Sequence, residues 1–139
     1  NQFELEWLTG RAIRSLADAK AAITALQAKG PRCVLLTSLR TEATGDDEIE
    51  MLAAEGGGFW RLRTPMLPLS VNGAGDAIAA LFLFHRLKSG AAAAALEAAA
   101  ASIFGLLSRT LEAGARELQV VAAQEEITAP SRRFIAEAC

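Results

Sequence analysis

Apolar residues recur at helical spacing through the first third of the chain. Residues 2–9 predict a short helix that ends at Gly10. The pattern Ser15-x-x-Asp18 is a capping-box signature, and apolar positions then follow every three or four residues: Leu16, Ala19, Ile23 and Leu26. A Gly-Pro pair at 30–31 ends this second helix.

The pattern changes from helical spacing to short apolar runs in the middle of the chain. The run 33–36 predicts a buried, parallel strand. Residues 41–47 are polar and predict a loop. Residues 49–54 and 59–63 flank three consecutive glycines and predict a hairpin. These segments supply the strands of the expected sheet.

Helical composition dominates the last part. One helix is predicted to follow Asp76, from residue 77 to about residue 87, and a second, alanine-rich helix over 91–111. Residues 118–121 predict a last short strand, and 124–138 predict one or two short helices broken at Pro130. Strands and helices alternate along the chain, which favours an α/β layered sheet in one domain spanning 1–139.

Composition narrows the class of protein. The 139 residues include 14 basic and 16 acidic side chains, a net charge of −2, and 52% of them are apolar. This is too apolar for a disordered tail and gives no electrostatic footprint for nucleic acid. No uninterrupted apolar run reaches the ~18 residues of a spanning helix, so no membrane association is expected. Cys33 and Cys139 lack metal-ligand spacing, and we expect reduced thiols in a cytoplasmic protein.

The chain opens directly into ordered-looking sequence. It begins at Asn1 without a methionine, and Phe3, Leu5 and Trp7 are already apolar. We therefore expect this sequence to be a piece of a longer domain.

The segment Gly73-Ala74-Gly75-Asp76 is the strongest candidate for chemistry. Two glycines let the backbone turn tightly at the start of a predicted helix, where free N–H groups and the helix dipole favour an anion. Such a turn suits a transferring phosphoryl group, and Asp76 could accept a proton from an attacking hydroxyl. A plain loop-to-helix turn with Asp76 as its cap explains the same four residues.

Two further polar groups could serve a phosphate site. Asn1 and Glu4 lie one helical turn apart and could hold a hydrated Mg²⁺, although a helix cap explains them too. Thr37 and Ser38 follow the predicted strand, where ligands of open α/β sheets bind, although they could equally tie down a loop.

With these motifs in order, the sequence resembles the ribokinase-like superfamily of small-molecule kinases, and within it the pyridoxal kinase branch. The Gly-Xaa-Gly-Asp motif is matched at 73–76, and the upstream Asn-Xaa-Xaa-Glu motif is matched by Asn1 and Glu4. The stretches that carry the resemblance are NQFELEWLTG at 1–10, VLLTS at 34–38, NGAGDAIAALFLFH at 72–85 and ELQVVAAQ at 117–124. The match covers only the C-terminal half of such kinases, so an incomplete ribokinase-like α/β/α fold is implied.

The resemblance implies a role for the glycine-rich motif. Asp76 would be the catalytic base toward the hydroxymethyl group of pyridoxal or a related B6 vitamer. Gly73, Ala74 and Gly75 would form the anion hole for the phosphoryl group, and Glu4, with Asn1, would organise Mg²⁺.

The resemblance also implies a nucleotide site and an assembly. Thr37 and Ser38 would contact the phosphates of ATP, although some relatives carry Lys-His at these positions. Arg63 and Thr64 would lie in the loop beside the adenine. A homodimer is usual in the family. The alternatives are a superfamily kinase acting on hydroxymethylpyrimidine or a sugar, and a non-catalytic fragment of such a kinase.

Overall fold

The computed structural model describes all residues, 1–139, as five helices and four strands. In chain order these are α1 (Gln2–Thr9), α2 (Leu16–Gln27), β1 (Cys33–Leu39), β2 (Glu48–Glu55), β3 (Gly58–Pro65), α3 (Ala74–Ser89), α4 (Ala92–Glu112), α5 (Glu125–Thr128) and β4 (Glu137–Ala138). The predicted helices at the start of the chain, the hairpin and the two long helices are confirmed to within three residues of their predicted ends.

Local sequence fixes the two N-terminal helices. The Ser15 side chain accepts a hydrogen bond from the Asp18 N–H, and the Asp18 carboxylate accepts one from the Ser15 N–H, which is the predicted capping box. Gly10 ends α1 in the left-handed conformation, with φ 67°, where a side chain would be strained.

The four strands form one sheet in the order β1-β2-β3-β4, and every neighbouring pair is antiparallel. The prediction of a parallel partner for β1 is therefore wrong within this chain. β1 pairs with β2, with Cys33 opposite Glu55, and has no second strand beside it. An apolar run predicts that a strand is buried, but it carries no information on the direction of its neighbour.

The C-terminal predictions are met in part. No strand forms at 118–121; Glu117 makes an isolated parallel bridge to Asn72, and the chain turns at Val120. The tail contributes one short helix, α5, before Pro130, and then the two-residue strand β4 instead of a second helix. Three apolar residues in this segment are too few for their β-propensity to decide against the turns on either side.

Helices cover both faces of the sheet, giving an α/β/α layering. On one face α1 and α2 pack on alternate residues of β1 and β2, including Val34, Leu36 and Leu52. On the other face α3 and α4 pack on the intervening residues, including Met51 and Leu62. The period-two alternation of the strands thus divides the core into two clusters.

The alanine-rich helix α4 is the central helix of the second cluster. By length and composition it could cross a membrane, which the search for uninterrupted apolar runs did not reveal, but 61% of its most apolar window is buried inside the chain. Its small side chains let α3 pack closely along it, since Ala95, Ala99 and Ala100 are fully buried.

Candidate active site

The start of α3 presents unpaired backbone donors. Gly73 is the N-cap residue with φ 88°, and no side chain caps the helix. The N–H groups of Ala74, Gly75 and Asp76 therefore have no hydrogen-bond partner in the chain, the first helical bond being from Ala77 to Gly73. The Asp76 side chain is exposed and does not act as the cap. Three free N–H groups at a helix start can bind an anion, and a free carboxylate lies beside them.

A bulge near the end of β1 brings two hydroxyls to the same region. The pairing of β1 with β2 is regular up to Leu36 and shifts before Leu39. Within this bulge Ser38 adopts φ 54°, the only positive value at a residue other than glycine. Such a strained residue persists only where its surroundings impose it, and bulges re-aim side chains. Both Thr37 and Ser38 line a cleft beside the start of α3.

This first cleft, of about 400 Å³, is mainly apolar. It lies between the connection after β3 and the outer face of α4, and Thr37, Ser38 and Thr64 are among its lining residues. Thr64 is only 4% exposed, and its hydroxyl makes no hydrogen bond within the chain and keeps some contact with the cleft. A free hydroxyl on the wall of an apolar cleft can bond to the polar edge of a flat ligand.

A second cleft, of about 500 Å³, lies between β1 and α3. Its wall includes Glu4, Asp76 and Arg86, together with apolar residues of α3. Thr37 and Gly75 border both clefts. A ligand in the first cleft can therefore extend past the start of α3 toward a second ligand near Asp76.

Asn1 and Glu4 form the helix cap that the sequence left open as an alternative to a Mg²⁺ site. The Asn1 side chain accepts from the Glu4 N–H at 3.0 Å, and the Glu4 carboxylate accepts from the Asn1 nitrogen, so the two residues cap α1. Capping does not exhaust the Glu4 carboxylate, which is 64% exposed and faces the second cleft. Because Mg²⁺ keeps several waters and needs only one or two carboxylates, the exposed Glu4 carboxylate fits a hydrated Mg²⁺ held against phosphates. The Asn1 side-chain oxygen is engaged by the cap.

Arg63 lies apart from the other candidates. It is on the strand face opposite to Thr64, and its Nε donates to the Glu50 carboxylate at 2.9 Å. Glu50 is 1% exposed, so this pair neutralises a buried charge. The structure thus brings Thr64 to the cleft and directs Arg63 away from it.

Sequence reasoning missed the apolar wall of the first cleft. Ile103, Phe104 and Leu107 of α4 line it, at the one-and-four spacing of a single helix face. Those residues have the same pattern as core residues, and only the fold shows that part of this face borders a cavity.

The far end of the second cleft was missed as well. There the guanidinium of Arg86 donates from Nε to Glu55 at 2.9 Å, and Cys33 lies beside this pair. Burial, reinforced by the negative charge of Glu55, raises the pKa of the Cys33 thiol. A neutral thiol fits a structural role rather than a reactive one.

With this geometry established, comparison with known proteins gives a consistent result. Residues 1–104 match the family model described as "pfkB family carbohydrate kinase". The chain is 56% identical over its whole length to the pyridoxal kinase PdxY of Granulibacter bethesdensis and spans 50% of it. The chain thus spans about half the length of the curated relatives it matches.

Solved structures show the same fold at low sequence identity. The chain superposes on Plasmodium falciparum PdxK, crystallised with AMP-PNP and PL, with a TM-score of 0.85 and 19% identity, covering 48% of that protein. It superposes equally well on a protein assigned as a phosphomethylpyrimidine kinase of Bacteroides thetaiotaomicron, with a TM-score of 0.87 and 19% identity, covering 50% of it. The ribokinase-like fold expected from the sequence is confirmed, and fold alone does not separate these substrates.

Proposed function

Because this chain belongs to the pfkB family of carbohydrate kinases, we propose that it forms the nucleotide-binding and catalytic part of an ATP-dependent pyridoxal kinase. The observation that carries the proposal is the junction at Thr37 and Gly75, where an apolar cleft and a carboxylate-bearing cleft meet beside three unpaired N–H groups. Phosphoryl transfer needs this combination, since its catalysis comes almost entirely from positioning and charge stabilisation.

The first cleft suits the nucleotide. Its apolar wall, including Phe104 and Leu107, fits a purine ring, and the free hydroxyl of Thr64 can bond to the edge of the base. Thr37 and Ser38 stand between this wall and the start of α3, where they can donate to phosphate oxygens. The γ-phosphoryl group would then reach the N–H groups of 74–76.

Asp76 is the proposed catalytic base. Its carboxylate accepts the proton of the 5′-hydroxyl of pyridoxal, and the hydroxyl oxygen forms a bond to the γ-phosphorus. The bond from that phosphorus to the β,γ-bridging oxygen breaks, and ADP leaves with its electron pair. The N–H groups of Ala74 and Gly75 stabilise the negative charge on the phosphoryl oxygens, where each such donor contributes about 10²–10³ in rate.

Mg²⁺ is part of this proposal. Glu4, through a water molecule, is the residue that would hold it in the second cleft. When bound, the ion would neutralise charge on the phosphates.

Pyridoxal is preferred over hydroxymethylpyrimidine or a sugar because the curated relatives at 37–56% identity are pyridoxal kinases. We further propose that the enzyme works in the cytoplasm as a homodimer, on pyridoxal or a related B6 vitamer, with no nucleic-acid or membrane partner. A near-neutral charge of −2 and two free cysteines are consistent with that setting.

The test is ATP-dependent formation of pyridoxal 5′-phosphate. The assay protein is this chain joined behind the complementary N-terminal half of the Granulibacter relative, called the fusion below, and the intact relative serves as positive control. We expect turnover by the fusion and a loss of at least about 10³-fold in kcat for Asp76→Asn, with AMP-PNP affinity retained.

Three outcomes separate the alternatives. Turnover that Asp76→Asn leaves intact would contradict the assigned base. Faster transfer to hydroxymethylpyrimidine or to a sugar would replace the substrate. A fusion that neither binds AMP-PNP nor turns over would favour a non-catalytic fragment.

A further inference from the structure

Thr110 is a buried polar residue that the proposed mechanism does not use. It is 0% exposed near the end of α4. Its hydroxyl donates to the Leu106 carbonyl at 2.7 Å and accepts from the Gln119 N–H at 3.1 Å. The hydroxyl therefore ties the extended segment after α4 back onto the helix.

The tied segment leads to the anion site. Two residues before Gln119, Glu117 lies opposite Asn72 in the isolated parallel bridge. Asn72 is immediately followed by Gly73, the N-cap residue of α3. Residues 117–119 are thus held by Thr110 on one side and border the entrance to the anion site on the other.

The same helix shapes the nucleotide cleft. Phe104 and Leu107 line that cleft, and Thr110 lies on the next turn after Leu107. A contact at Thr110 therefore fixes the anion-site loop relative to the wall against which the adenine ring of the nucleotide would pack. The distance between the adenine ring and the site of the γ-phosphoryl group depends on this arrangement.

We propose that Thr110 is a positioning residue for phosphoryl transfer, acting through residues 117–119 on the loop at Asn72 and Gly73. The inference rests on the proposed function. Without the hydroxyl, the N–H of half-buried Gln119 loses its acceptor, and the segment shifts to satisfy it. The loop then holds the N–H groups at the start of α3 less accurately where charge develops on the phosphoryl group.

The test compares Thr110→Val with Thr110→Ser in the fusion. We expect Thr110→Val to lower kcat about tenfold with little change in the KM for pyridoxal, and Thr110→Ser to restore it. A second readout is equilibrium binding of AMP-PNP and of AMP with Mg²⁺, because only AMP-PNP reaches the anion site. Thr110→Val should weaken AMP-PNP by about fivefold and leave AMP within about twofold.

Controls separate positioning from loss of stability. Thr24→Val removes a similar hydroxyl-to-carbonyl bond on the exposed face of α2. Ile23→Val lowers stability in the other core cluster. Both should leave the ratio of AMP-PNP to AMP affinity unchanged. If Thr110→Val does not fold, Thr110→Cys takes its place, because a thiol is of similar size and a weaker acceptor. Its kcat and its ratio of AMP-PNP to AMP affinity should both fall below those of wild type and of Thr110→Ser, without being lost completely.

An unchanged affinity ratio and kcat in Thr110→Val or Thr110→Cys would overturn the inference while leaving the proposed function intact. Equal losses in Ile23→Val would overturn it as well. A wild-type fusion without AMP-PNP binding or turnover would instead overturn the proposed function on which it rests.

Discussion

Thr37 of β1 and Gly75 of α3 border both clefts, so the two cavities meet between these residues. Gly75 also carries one of the unpaired N–H groups at the start of α3. A phosphoryl donor on one side and an acceptor on the other would therefore react directly beside the backbone donors.

Replacing Thr64 by valine should weaken nucleotide binding. The substitution keeps the shape of a side chain that is 4% exposed and removes only its free hydroxyl. A net hydrogen bond of about 1 kcal/mol corresponds to about a fivefold higher Kd for AMP. Calorimetric titration of the fusion measures the change, and Thr64→Ser is the matched control that keeps the hydroxyl. Equal affinities for the valine variant and wild type would show that Thr64 does not contact the base.

The backbone at Ser38 should favour glycine over alanine. Its φ of 54° costs an L-residue about 1 kcal/mol relative to glycine. Urea unfolding of the fusion should therefore give Ser38→Gly a higher free energy of unfolding than Ser38→Ala by about that amount. At Ser70, in the same cleft but without a positive φ, the order should reverse. The same order at both positions would contradict the strained conformation.

Gly105 should not tolerate alanine, although alanine favours helices. A Cβ at Gly105 would overlap the Glu126 carboxylate and come within 3.0 Å of the Glu126 Cβ. That carboxylate is held by the Ser131 N–H at 2.8 Å and by Arg109, so it cannot swing aside. Gly105→Ala should lower the free energy of unfolding by about 1–3 kcal/mol.

A double-mutant cycle tests the cause of that loss. In a Glu126→Ala background the overlap with the carboxylate is gone and only the tight contact with the Cβ at 126 remains, so the loss caused by Gly105→Ala should shrink to less than about 1 kcal/mol. An equal loss in both backgrounds would place the strain elsewhere.

Glu126 should contribute stability that is lost in acid. Hydrogen bonding from the Ser131 N–H, with help from Arg109, lowers the pKa of this buried carboxyl from 4.5. A lowered pKa in the folded state means that the unfolded state binds the proton more readily. The contribution is therefore complete above about pH 5 and declines as the pH falls through the folded-state pKa. Glu126→Gln should flatten the fall in unfolding free energy between pH 5 and about pH 3; an unchanged pH profile would contradict it.

Local signals predicted most of the fold. The caps at Ser15 and Gly10 and the glycines of the β2–β3 turn each act over a few residues, and all were confirmed. The antiparallel pairing of β1 and the absence of a strand at 118–121 could not be predicted. Both depend on which segments meet across the fold, and a four-residue segment does not encode that.

The candidate site likewise contains residues that local sequence predicts and residues that only the fold reveals. The glycines and the aspartate at 73–76 stand out because their backbone requirements are local. The separation of Thr64 from Arg63 follows from strand alternation, which the sequence shows, but which face meets a cavity depends on α4. Phe104 and Leu107 have the pattern of core residues, so no sequence signal distinguishes them as cleft residues.

The most direct measurement is a crystal structure of the fusion with AMP-PNP, Mg²⁺ and pyridoxal. The account predicts the adenine ring in the first cleft beside Thr64 and the γ-phosphoryl oxygens on the N–H groups of Ala74 and Gly75. It also predicts the pyridoxal hydroxyl within hydrogen-bond distance of Asp76. A γ-phosphoryl group bound away from the start of α3, or a pyridoxal hydroxyl out of reach of Asp76, would contradict it.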